Sequence, residues 1–137
     1  MMKVKKGMNL IVLSCLAASL LLPIACSGGG GTDWVGTTPL AEALSSGKPT
    51  IAEFGAATCI PCKRMKPVLE EIVAEYGDKL NLSFTDVRIH TGVATKYHIT
   101  LMPTQVFFDS TGQEVTRHVG YWPKEDVLAH LQELGFL

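Results

Sequence analysis

The chain has 137 residues, 47% of them hydrophobic, which is enough for one domain with a single core and too few for two. Its 12 Lys and Arg nearly balance 13 Asp and Glu, but Lys3, Lys5 and Lys6 all fall in the first 25 residues. Without that segment nine bases face 13 acids, a net charge of −4, and no basic stripe remains to hold nucleic acid.

Residues 1–25 read as an export leader. The three lysines form a positive start, and residues 10–25 are an uncharged apolar run. That run is shorter than the roughly 20 residues a spanning helix needs. It ends Leu22-Pro23-Ile24-Ala25-Cys26, followed by Ser27 and four glycines. A small residue before Cys at the end of such a run resembles the processing site of bacterial lipoproteins, which implies that Cys26 carries the lipid. An ordinary cleaved leader and an uncleaved anchor are the alternatives. Residues 26–37 would then be a flexible, glycine-rich tether and residues 38–137 the folded domain. Cys15 leaves with the leader and Cys26 bears the lipid, so Cys59 and Cys62 are the only thiols of the exported domain.

Thr38-Pro39 predicts a short helix, with Thr38 as N-cap and Pro39 in the first helical position, ending near Gly47. Residues 50–54 form a short buried strand. Met65, Val68, Leu69, Ile72, Val73 and Tyr76 then fall on one face at period 3.6, marking a helix from about Ile60 that Gly77 stops. Leu80, Leu82 and Phe84 alternate with polar residues in a strand continuing to Val87. Residues 93–98 are a short helix. Residues 105–108 and 114–119 are strands of a hairpin turning at Ser110-Thr111-Gly112. Pro123 opens a last helix, with Glu125 and Asp126 in its first turn and Val127, Leu128, Leu131 and Leu134 as its apolar face. This order calls for an α/β fold with a mixed central sheet and helices on both faces.

Cys59-Ile60-Pro61-Cys62 lies between a strand and a helix. There the Cys59 sulfur meets the unpaired N–H groups of the helix start, which stabilise the reactive thiolate. Cys59 is the expected nucleophile. Cys62, one turn on and more buried, is placed to resolve the mixed disulfide. Pro61 supplies a φ suited to the first turn. Zinc needs two further ligands, and the domain offers only scattered His90, His98, His118 and His130; covalent haem needs His where Lys63 stands. A purely structural disulfide remains the alternative, although so small a loop gains little from closure.

From about Thr38 onward the chain resembles thioredoxin. The resemblance rests on Cys59-Ile60-Pro61-Cys62-Lys63, Pro67 in the helix that follows, Met102-Pro103-Thr104, Gly112 and Gly120. It implies a thioredoxin-like fold, a cis peptide bond at Pro103 facing the dithiol, and a substrate groove formed by Ile60, Pro61, Met102, Thr104 and Gly120. Glu53, six residues before Cys59, matches the family's buried acid, which implies proton exchange with the inner cysteine. Between Ala52 and Phe54 it is expected to be buried with a raised pKa; the alternative is the sheet's exposed edge. The chain departs from the family at Gly55 and Thr58, where aromatic residues are usual, and at Phe84, where a lysine usually accompanies the acid. No extended first strand is evident before Thr38.

The expectation is an extracytoplasmic, membrane-tethered thiol–disulfide oxidoreductase acting on protein disulfides or dithiols, facing the periplasm in a two-membrane cell. It needs no metal or cofactor besides the Cys59–Cys62 disulfide. It works as a monomer and takes electrons from a membrane or periplasmic redox protein. Met102, bulky and apolar, leans the reading toward reduction. A disulfide-forming oxidase is the nearest alternative, and a non-catalytic binding module is the one from another class.

Overall fold

The structure is a computed structural model and describes residues 34–137. The expected leader, Cys26 and the first part of the tether lie outside the described residues. The elements run α1 (Leu40–Ser45), β1 (Thr50–Gly55), α2 (Ile60–Tyr76), β2 (Asn81–Asp86), α3 (Thr91–Lys96), β3 (Thr104–Phe108), β4 (Glu114–Val119) and α4 (Lys124–Glu133). One mixed sheet has the order β2-β1-β3-β4, with β1 parallel to β2 and antiparallel to β3. This is the thioredoxin-like α/β fold that the element order implies.

Each face of the sheet has its own core. Ile51, Leu82 and Phe107 pack against Met65, Leu69 and Ile72 of α2 and Val127 and Leu131 of α4. Ala52, Phe54, Val106 and Phe108 point the other way, toward Leu40 and Leu44 of α1 and Val93 and Tyr97 of α3. The alternation along β1 and β3 feeds both cores because both strands are central, so every residue of each is buried.

Two helix starts differ from the sequence pattern by a residue or two. Pro39, not Thr38, is the N-cap of α1: its ψ of 137° is extended, while its carbonyl already accepts from the Ala43 N–H at 2.9 Å. Helix α3 begins at Thr91 because the His90 carbonyl accepts from Val93 and Ala94, and Tyr97 caps it ahead of His98 at φ 53°. The hairpin turns as expected, with Asp109 Oδ1 accepting from the Thr111 and Gln113 N–H groups and Gly112 at φ 78°.

The last residues assigned to the tether pack onto the domain. The Val35 N–H donates to Glu70 on α2, Thr37 forms an isolated parallel bridge with Leu82, and the Thr38 N–H donates to the Leu82 carbonyl at 2.8 Å. A tryptophan at position 34 has enough apolar surface to hold the chain down there.

Candidate functional site

Strand β1 ends at Gly55, and a tight loop then delivers Cys59 to the start of α2. The Cys59 N–H donates to the Ala56 carbonyl at 3.0 Å, and the Cys59 carbonyl accepts from Lys63 at 3.1 Å. Cys59 is thereby the N-cap of α2, with extended φ/ψ of −80° and 116°. Its sulfur accepts from the Cys62 N–H at 3.3 Å, in the manner of an N-capping side chain. Cys59 and Cys62 are joined as a disulfide, with Cα atoms 5.2 Å apart. The two sulfurs are not equivalent: Cys59 is partly exposed, whereas Cys62 is 2% exposed. A nucleophile from outside reaches Cys59 first.

The loop before Cys59 is clasped from β2. Asp86 Oδ2 accepts from the Ala57 N–H at 3.0 Å, and Oδ1 accepts from the Arg88 N–H at 2.9 Å. Arg88 in turn donates to the Thr58 hydroxyl. Burial pushes the Asp86 carboxyl up, but these N–H donors and the Arg88 charge outweigh it and hold the carboxyl below its ordinary value.

Glu53 is fully buried in the middle of β1 rather than at an exposed edge. The strand register sets Phe84, Glu53, Gln105 and His118 side by side in one row across the sheet, on the face covered by α2 and α4. Gln105 Nε2 donates to Glu53 Oε2 at 2.7 Å, while Glu53 Oε1 has no hydrogen-bond partner among the described residues. Burial dominates and pushes the Glu53 carboxyl up to about 8, with the Gln105 hydrogen bond opposing it. At the far end of the row His118 stacks on Trp122, with ring centroids 4.0 Å apart. Its imidazole is pushed below its ordinary pKa by burial and by the charge of His130.

Gly55 is two residues beyond Glu53 and so faces the same side of the sheet. A Cβ built there would lie 3.0 Å from Cys62 Sγ and 3.3 Å from Phe84 Cε2. The inner sulfur, the end of β1 and the Phe84 ring therefore meet at one point. A side chain at Gly55 would crowd Cys62 and Phe84, which would have to give by a few tenths of an ångström to admit it.

The Met102–Pro103 bond is cis, and Pro103 is buried. Thr104 pairs with Phe54 on one side and Val119 on the other, which puts Pro103 at the same end of the sheet as Gly55. The Gly120 N–H donates to the Pro103 carbonyl at 2.8 Å, and Gly120 takes φ 105°, so an expected groove position is bonded to the cis proline. Next to Gly120, Tyr121 lies under the Arg64 guanidinium at 4.3 Å, which ties the exit of β4 to the first turns of α2. Ile60 and Leu101 are 73% and 61% exposed, leaving apolar surface at both the dithiol turn and the proline loop. Met102 is half-buried and Pro61 exposed. Pro67 sits inside α2 on its exposed side.

Three contributors escaped the sequence reading. Asp86 carries no motif. Trp34 fell within the tether. Gln105 did leave a signal, as the one amide in the buried run Thr104-Gln105-Val106-Phe107-Phe108.

The Thioredoxin family profile matches residues 37–133. A thioredoxin of Alicyclobacillus acidocaldarius subsp. acidocaldarius is 33% identical over 93 residues, covering 68% of this chain and 88% of its own length. The thioredoxin of Mycolicibacterium smegmatis is 38% identical over 94 residues, covering 67% of this chain and 83% of its own. A bifunctional thioredoxin reductase/thioredoxin of Mycobacterium leprae is 37% identical over 94 residues, of which this chain spans only 20% of the length. With the family profile spanning the described domain and the Cys59–Cys62 disulfide at the start of α2, the chain belongs to the thioredoxin family and is a thiol–disulfide oxidoreductase.

Proposed function

We propose that the chain is a lipid-tethered, extracytoplasmic reductant of protein disulfides. The observation that carries the chemistry is the asymmetry of the dithiol, a reachable Cys59 sulfur on the helix start and a sealed Cys62 sulfur. In the reduced protein the Cys59 thiolate attacks a substrate disulfide. A Cys59–substrate bond forms, and the first substrate thiolate leaves. Cys62 gives up its proton and attacks the Cys59 sulfur, releasing the second substrate thiolate and closing the internal disulfide. The electron pair has then passed to the substrate.

Recharging runs in reverse. A donor thiolate attacks the exposed Cys59 sulfur and expels Cys62 as a thiolate inside the fold. A buried thiolate is costly, and Glu53, protonated near neutral pH and on the sheet face that Gly55 turns toward Cys62, is the acid that would neutralise it. The amide of Gln105 holds Oε2 without adding a positive charge, so the carboxyl keeps its proton where a lysine neighbour would favour its loss. The exposed apolar surface at Ile60 and Leu101 suits an extended peptide laid next to Cys59. The leader-like residues 1–25 and Cys26 support the tether and the location outside the cytoplasm. Electrons would then come from a membrane or periplasmic redox protein.

Turbidity of insulin under dithiothreitol tests the reaction. The wild-type chain should accelerate B-chain precipitation, and Cys59→Ser should abolish the acceleration. Equal rates for the two would reduce the protein to a binding module with a structural disulfide.

A further inference from the structure

Trp34 precedes every regular element, yet it is built into the site. Its ring stacks on Phe84 with centroids 4.6 Å apart and planes 16° from parallel. Phe84 is the same ring that, together with Cys62, crowds the Cβ position of Gly55. Trp34 thus forms the outer layer of a wall whose inner layer borders the buried sulfur.

Several contacts hold that layer in place. The Lys66 ammonium sits 5.9 Å from the Trp34 ring centroid and pairs with Glu70 at 2.8 Å. Glu70 also receives the Val35 N–H, so one carboxylate on α2 anchors both the lysine and the backbone beside the tryptophan. The bridge of Thr37 to Leu82 fixes the chain direction two residues on from Val35. Gly36, at φ 73°, has room for no side chain, since a Cβ there would lie 2.9 Å from Val73 Cγ1. This much fixation is unexpected for the end of a tether whose role is reach.

We infer that Trp34 is a positioning residue for the dithiol, holding Phe84 over Cys62 and so keeping the inner sulfur sealed while Cys59 stays open. The Trp34–Phe84 stack is what separates the reactivities of the two cysteines on the side of β2. Without it Phe84 loses its outer contact and can turn away from Gly55, and solvent and reagents gain a path to Cys62. Because residues 34–37 lead into the folded domain from the stretch assigned to the tether, the same contact couples the position of the tether to the exposure of the inner thiol.

The inference rests on the dithiol reading and is tested apart from it. The full chain, reduced, is treated with limiting iodoacetamide, and the alkylation rates of Cys59 and Cys62 are followed separately by peptide mapping. In the wild type Cys59 should react well ahead of Cys62; the reverse order would defeat the dithiol assignment itself. Trp34→Ala should raise the Cys62 rate roughly fivefold, the scale of one lost aromatic pair, and leave Cys59 within about twofold. Trp34→Phe, which keeps a stacking ring, should restore the wild-type rate. Phe84→Leu, which breaks the stack from the inner side and preserves apolar volume, should match Trp34→Ala and serves if that variant does not fold. A lowered melting temperature with an unchanged Cys62 rate in the folded variants would overturn the inference, as would a Trp34→Phe chain as reactive as Trp34→Ala.

Discussion

Gln105 Nε2 donates to Glu53 Oε2 at 2.7 Å, straight across the β1–β3 pairing, and both side chains are fully buried. The pairing is neutral on the Gln105 side. The parallel neighbour of Glu53 on β2 is Phe84, which offers neither charge nor hydrogen bond. Along the same row His118 lies beyond Gln105 at the edge of the sheet, and Cys62 is bound as a disulfide here. Desolvation therefore decides the state of this acid.

Glu53 makes stability fall as pH rises. Its carboxyl titrates at 4.5 in the unfolded reference and at about 8 in the fold, so between those values the folded chain binds more protons. The stabilising contribution of the protonated acid is fully present below the lower value and is lost as pH rises through the upper one. The slope is at most about tenfold in the folding constant per pH unit. Urea midpoints from about pH 5 to pH 8 should show this decline in the oxidised wild type, and Glu53→Gln should flatten it. Gln105→Leu should push the acid higher still and destabilise the chain by about 1–3 kcal/mol, since it leaves Oε2 buried without a partner. A wild-type midpoint independent of pH in that window would count against the buried, protonated acid.

The roles of the cysteines can be separated by trapping. Cys62→Ser leaves the exposed Cys59 to form a mixed disulfide with nothing to resolve it, so covalent adducts with substrate proteins should accumulate and disappear on reduction. Cys59→Ser should trap nothing, because Cys62 is sealed. Non-reducing gels of cells making each variant read the outcome, and equal adducts from both would reverse the assignment.

Asp86 works in the opposite pH direction from Glu53. Its folded pKa is lowered, so its stabilising contribution is present above its unfolded value and is lost as pH falls through the folded one. Asp86→Asn should cost about 1–3 kcal/mol at neutral pH, because an amide cannot accept from both Ala57 and Arg88 as the carboxylate does. It should also flatten the acid limb of the stability curve. Hydrogen exchange at the Ala57 amide should speed up with it, and unchanged exchange there would separate Asp86 from the active-site loop.

The tether is tested by labelling. Radiolabelled palmitate should enter the chain in a bacterial host, and Cys26→Ala should abolish the label and release the domain from the membrane fraction. Label that persists in Cys26→Ala, or a mature N-terminus mapped elsewhere, would leave an exported domain without this anchor.

The elements of this protein were legible because their signals are local. The period of Met65, Leu69 and Ile72 marks α2, the alternation of Leu80, Leu82 and Phe84 marks β2, and Ser110-Thr111-Gly112 marks the hairpin, each within a few neighbouring residues. The same holds for the dithiol, since a cysteine at a helix start and another one turn on need only the strand–loop–helix order to acquire distinct roles. Spacing and family likeness carried Pro103 and Gly120, whose backbone bond to each other the fold then supplied.

Which side chains meet across the sheet was settled only by the tertiary structure. Glu53 reads as an acid in an apolar strand, but its partner depends on the register of β1 with β3, and a slip of one residue would have brought a different side chain to it. Asp86 reaches Ala57 across 29 positions of sequence, and Trp34 reaches Phe84 across two intervening helices and a strand. The chemistry of a thiol pair is thus written in four consecutive residues, whereas the environment that tunes it comes from chain segments that only folding brings together. No local pattern records such a meeting, because the energy that selects it comes from packing the whole core.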